Sequence, residues 1–164
     1  MKGFDGACRD TNAKVKCFIG GEGRTNENLG LLSIQTLFLR VHNKLAKQLS
    51  LLNPHWNDEL LYQETRRIVI AFVQQITYSE YLPVIIGVNT AARFDLVPQN
   101  ENIYFTGYDQ KVNPTMTNEF TSAAFRFGHS MIRNKYSRAD QSNKKFANIN
   151  LSEMIFRPVE AYKY

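Results

Sequence analysis

Cysteine is nearly absent from this chain. Of 164 residues only Cys8 and Cys17 are cysteines. No further cysteine or histidine stands near them, which excludes a zinc quartet. What remains is a pair of reduced thiols or one bridge closing a loop of nine residues. Long apolar runs are also missing. No stretch reaches the ~18 uninterrupted apolar residues of a spanning helix, so no membrane span is expected. Met1 to Val15 is polar and shows no apolar core of a signal peptide in the chain as given. There are no repeats, no low-complexity tract and no credible β-sheet. Neither sign of charge dominates. The net charge is +5, and basic residues gather loosely from Arg133 to Lys145, which reads as a solvated loop or a contact for an acidic partner. No nucleic-acid-binding motif accompanies them, so nucleic acid is not an expected partner.

Helical periodicity is what the chain does have. Apolar residues recur at Leu31, Ile34, Leu37, Phe38, Val41, Leu45, Leu49 and Leu52 with three-four spacing, and Pro54 ends the run. Asn57 suits the N-cap of a second helix, whose apolar face is Leu61, Ile68, Phe72 and Ile76, widened by Val69 and Val73. Ser79 to Ile86 predicts a short helix stopped by Gly87. Residues 88–116 read as loop, a further helix is predicted from Thr117 to about Arg133, 134–150 read as a basic surface loop, and the tail from Leu151 as a short extended or helical piece. The expected architecture is mainly α: an irregular segment over 1–28 and a helical body over 29–164.

Three histidines are present: His42, His55 and His129. His129 follows Gly128, and the missing glycine side chain suits the close approach of a planar ligand. A neutral imidazole is a good axial ligand for haem iron. A core histidine satisfied by hydrogen bonds is the other reading of the same residue.

Four blocks carry a resemblance. Leu37 to Ala46 reads LFLRVHNKLA, Leu52 to Trp56 LNPHW, Leu61 to Val69 LYQETRRIV, and Ile76 to Pro83 ITYSEYLP. In this order and spacing the chain, from about Cys8 to its C-terminus, closely resembles the animal haem peroxidases. The resemblance implies a multi-helical peroxidase fold of which this is a central part, with haem b as cofactor and hydrogen peroxide and a small reducing substrate as partners. It also implies an extracellular or secretory setting, which favours the Cys8–Cys17 disulfide over free thiols.

It implies site residues as well. Arg24 and Glu27 match an Arg-x-x-Glu that follows a Cys-Phe-x-x-Gly segment, here Cys17 to Gly21. The family's arginine lies on the distal side of the haem and stabilises charge as the peroxide O–O bond breaks, a role suited to a guanidinium that never loses its proton. The family's glutamate can form an ester with a haem methyl group, which makes Glu27 a covalent anchor. His129 matches the proximal histidine in a Phe-Arg-x-Gly-His block, and Arg126, one turn earlier, could reach a haem propionate. Asn28 stands where a sulfonium-forming methionine occurs in some members, so that link is excluded. Glu22 stands where the family commonly has aspartate. Val41 and Lys44 replace a common glutamate and arginine, and Gln35 a common histidine, with an expected weakening of local polar contacts that does not touch the haem residues. His42 is expected to serve structural hydrogen bonding. The family's distal histidine, its second ester-forming aspartate and its calcium loop match nothing in these 164 residues. The expectation is a partial peroxidase domain, whose remaining parts would be its partner, or a catalytically inactive haem- or partner-binding derivative.

Overall fold

The computed structural model describes residues 17–99 and 103–159. Helix α1 spans Leu29–Leu52. Asn28 starts it, accepting the Leu31 amide on Oδ1 at 2.9 Å, a side-chain cap that satisfies one of the orphan donors of the first turn. Of the predicted stripe, Leu31, Phe38, Val41, Leu45 and Leu49 are partly covered, whereas Ile34, Leu37 and Leu52 are exposed; Leu32, outside that stripe, is buried. The covered face takes in Gln35 and His42 instead.

Helix α2, Asp58–Ile76, is capped by Asn57, whose side chain accepts from Leu60 N. Asp58 and Glu59 in its first turn complement the positive end of the helix dipole. The helix does not stop there. It passes into a π-helical turn at Thr77–Tyr81 and on into α3, Leu82–Ile86. Pro83 lacks an amide hydrogen and its ring crowds the carbonyl four residues back, which accounts for the widened turn. The predicted separate helix at 79–86 is therefore the end of a longer run. Gly87, at φ 82°, turns the chain in a conformation that favours glycine, and α4, Val88–Arg93, follows at once. This corrects the reading of 88–116 as loop throughout.

Helix α5, Asn118–Ser122, starts at the predicted place: the Thr117 side chain accepts from Phe120 N. The single helix predicted to Arg133 is broken at Ala123, and Ala124–Met131 is a 3-10 helix. Residues 134–150 also depart from the expected loop. Strands β1, Lys135–Tyr136, and β2, Ile149–Asn150, pair antiparallel with Lys135 opposite Asn150, and an isolated bridge joins Ala139 to Lys145. At the tip, the Asp140 carboxylate accepts from the Ser142 hydroxyl at 2.6 Å and from the Lys144 amide at 3.0 Å. The Ser142 hydroxyl first, then the amides, hold that carboxyl below the usual range. Helix α6, Leu151–Met154, begins with a capping box between Asn150 and Glu153.

The chain divides into two compact units. One comprises residues 1–37 and 115–164, the other residues 38–114. In the first, the buried side chains include Thr25, Asn26, Leu32, Ile149, Met154 and Pro158; in the second they include Thr65 and Ala91. Tyr104, Val84 and Tyr108 stand open to solvent. The run Asp58–Ile86 is long and apolar enough, by length and composition alone, to cross a membrane. Of the expected Cys8–Cys17 bridge, Cys8 lies outside the described residues.

Candidate functional site

All four predicted haem-site residues fall in the first unit. Arg24 and Glu27 belong to a turn built by the two residues between them. Thr25 and Asn26 are 3% and 2% exposed. Asn26 pairs with Phe18 like a strand partner: its Oδ1 accepts from Phe18 N at 3.0 Å and its Nδ2 donates to Phe18 O at 2.8 Å. Thr25 Oγ1 donates to Glu22 O at 3.0 Å. With the buried pair held inward, Arg24 is left pointing outward, its side chain 66% exposed. The Glu27 amide donates to Arg24 O at 2.9 Å and its carbonyl accepts from Phe156 N at 2.9 Å. The Glu27 carboxylate, half-buried, has no hydrogen-bond or ion-pair partner among the described residues.

Gly20 is required by this turn. A methyl group there would collide with Thr25 Oγ1 and stand 2.8 Å from its Cγ2. Thr25 is buried and bonded, so it cannot swing aside. Gly20→Ala is expected to destabilise the fold by about 1–3 kcal/mol, the usual cost of overpacking. A lowered urea midpoint with an unchanged slope would register it; an unchanged midpoint would show that the turn relaxes freely.

Arg126 and His129 share the 3-10 helix, in which residues three apart eclipse one another. They are bonded as well as aligned: His129 Nδ1 lies 2.9 Å from Arg126 O. A carbonyl can only accept, so Nδ1 carries the hydrogen, and in the neutral ring Nε2 is the nitrogen with the lone pair. That is the tautomer a metal-ligating imidazole needs. His129 is exposed, and a side chain at Gly128 would meet nothing within 4 Å. The space beside the ring is open to a planar group. The Arg126 guanidinium has no partner among the described residues. No cluster of three or more His, Cys, Asp or Glu that could hold a metal ion occurs among them, but an axial haem ligand needs only one nitrogen. The pocket lined by Phe105, Tyr108, Val112 and Pro114 contains none of the site residues.

Two expectations are corrected. Gln35 makes a local polar contact instead of weakening one, although it touches no haem-site residue directly. Its Nε2 donates to Glu22 Oε1 at 2.6 Å, and Glu22 Oε2 faces Arg24 Nη2 at 3.6 Å. The two replaced residues thus meet each other, and through Glu22 they meet Arg24. His42 makes no hydrogen bond among the described residues: its ring lies 5.6 Å from that of Tyr62, and its buried Nε2 has no partner among them. The Asn28 cap and the inward Thr25–Asn26 pair are site-building residues that periodicity did not reveal. The only signal for them was Asn before a helical run and a small polar pair after glycines.

The fold is helix-rich, and one unit carries both a turn-borne arginine and an exposed imidazole; comparison with known proteins shows the family. The family model described as animal haem peroxidase matches residues 2–164. Chorion peroxidase of Drosophila melanogaster is 43% identical over 93% of the chain, which spans 19% of that protein. Myeloperoxidase of Mus musculus is 47% identical over 79% of the chain and 17% of its own length. The solved structure of Peroxidase A from Dictyostelium discoideum superposes with a TM-score of 0.74 at 38% identity, covering 88% of this chain and 26% of that one. The chain belongs to the animal haem peroxidase family.

Proposed function

We propose that this chain carries the proximal iron ligand and the distal arginine of a haem-dependent peroxidase acting on hydrogen peroxide with a halide, phenol or tyrosine-type donor. The observation that carries the reading is the His129 ring, bonded through Nδ1 to Arg126 O and open at Nε2. Bound haem supplies the iron at which the peroxide O–O bond is cleaved. The protein's part is to hold that iron through His129 Nε2, to keep the imidazole oriented through the Arg126 carbonyl, and to present a permanent positive charge at Arg24 where negative charge develops. The Arg126 guanidinium, without a partner among the described residues, suits a propionate. The Glu27 carboxylate, likewise without a partner among them, suits the ester-forming role. Titration with haemin, read at the Soret band, tests the reading; failure to form a saturable one-to-one complex rejects it.

A second reading, a non-catalytic haem- or partner-binding derivative, is favoured by the exposure of Arg24 and His129, which leaves both side chains open to water. In either reading the exposed apolar residues along α1, α2 and α3 serve as a surface for the remaining parts of a peroxidase domain, since single monomers seldom leave such patches bare. The run Asp58–Ile86 fits that role better than a membrane span, because Glu64, Arg66, Arg67 and Glu80 interrupt it.

The setting proposed is extracellular or secretory, where disulfides persist. Cys8 and Cys17 are then expected to form a bridge worth about 2–3 kcal/mol for so short a loop. Protein from an oxidising compartment, weighed without reduction, should be lighter by about two hydrogens. Complete alkylation of both thiols would reject the bridge.

A further inference from the structure

We propose that Gln35 is a positioning residue for Arg24, acting through the Glu22 carboxylate. The two oxygens of that carboxylate have separate duties. Oε1 accepts from Gln35 Nε2 at 2.6 Å, and Oε2 faces Arg24 Nη2 at 3.6 Å. Gln35 stands on the covered face of α1, a rigid element, and reaches thirteen residues back along the chain. The backbone of Glu22 is held independently, since its carbonyl accepts from the buried Thr25 hydroxyl at 3.0 Å. Glu22 is thus anchored at both ends, and Arg24 has it as its ion-pair partner among the described residues.

An exposed ion pair between two mobile side chains orients neither, because each must lose rotamer freedom to meet the other. Here one of the two is already immobilised. Only the arginine has entropy left to lose, and its guanidinium is directed by a carboxylate whose plane Gln35 has set. This is preorganisation supplied by the residue behind the contact. That Arg24 faces haem rests on the proposed function above; that Gln35 orders Arg24 does not.

The test is the ¹⁵N relaxation of the Arg24 Nε–H in the whole chain. Gln35→Leu is expected to lower its order parameter by at least a third, into the range below about 0.6 that marks flexible groups. The backbone signals of Thr25 and Asn26 should stay in place. Gln35→His, which keeps a ring N–H donor, should hold the wild-type value. Glu22→Gln keeps an acceptor for Gln35 but removes the charge, and should free Arg24 as fully as Gln35→Leu. Equal Arg24 order in wild type, Gln35→Leu and Glu22→Gln would overturn the proposal. Fluoride affinity of the haem-loaded chain separates the two readings. Arg24→Ala should weaken it about tenfold, as expected for one charge-assisted hydrogen bond, and Gln35→Leu by less. Altered Arg24 order with fluoride affinity unmoved by Arg24→Ala would support the positioning role and overturn the haem-side reading of Arg24.

Discussion

Replacing His129 with alanine is expected to abolish the Soret shift that haemin shows on binding the wild-type chain, and to weaken binding by at least about a hundredfold. Altering an outer-shell partner of a metal ligand already costs 10–100-fold, and removing the ligand itself should cost no less. The bond from Nδ1 to Arg126 O makes the prediction specific. It leaves Nε2 as the coordinating atom, so free imidazole added to His129→Ala should restore the wild-type band shape. His42 and His55 are the remaining histidines. His42 is packed against Tyr62 with its Nε2 buried, so it cannot substitute. Unchanged spectra and affinity in His129→Ala would remove this residue from the iron.

Turnover should be poor in the same preparation. Reconstituted with haem by itself, the 164-residue chain is expected to oxidise a phenol with peroxide within about tenfold of the rate of free haem. Arg24 can stabilise negative charge but cannot accept a proton. The acceptor must be a base within hydrogen-bond reach of the peroxide, and such assistance is typically worth about 10²–10⁴-fold. The exposure of Arg24 and His129 adds to the deficit, because water screens the charges that would otherwise act at short range. A rate more than a hundredfold above free haem, lost in Arg24→Ala, would contradict this and show that the chain assembles a working distal site unaided.

Legibility in the sequence followed the length of each element. α1 and α2 were readable because each repeats its apolar spacing over several turns, and Asn57 and Pro54 mark ends by chemistry that is local. α4 was missed because six residues complete fewer than two turns, too few to establish a period. The β1–β2 ladder was missed for a similar reason: two residues per strand cannot alternate visibly. Which apolar residues of α1 are covered was readable only in part. A helix with leucines on several sides can be covered on any of them, and here Ile34, Leu37 and Leu52 are the residues of the predicted stripe left out. In the site, Arg24, Glu27, Arg126 and His129 came from motif resemblance rather than from periodicity. The Gln35–Glu22 contact escaped both, since it joins a helix to a loop with no repeating interval between them.

The winding of Ala124–Met131 sets the direction in which the imidazole looks. A 3-10 helix advances about 2.0 Å and 120° per residue, an α-helix about 1.5 Å and 100°. Rewinding these eight residues as α would shorten the segment by about 4 Å. It would also turn His129 by about 60° relative to Arg126, carrying Nδ1 away from the carbonyl that now fixes the tautomer. Pitch and proton placement are geared together in this segment, so a change of winding at the break beside Ala123 would be felt as a change in which ring nitrogen is free.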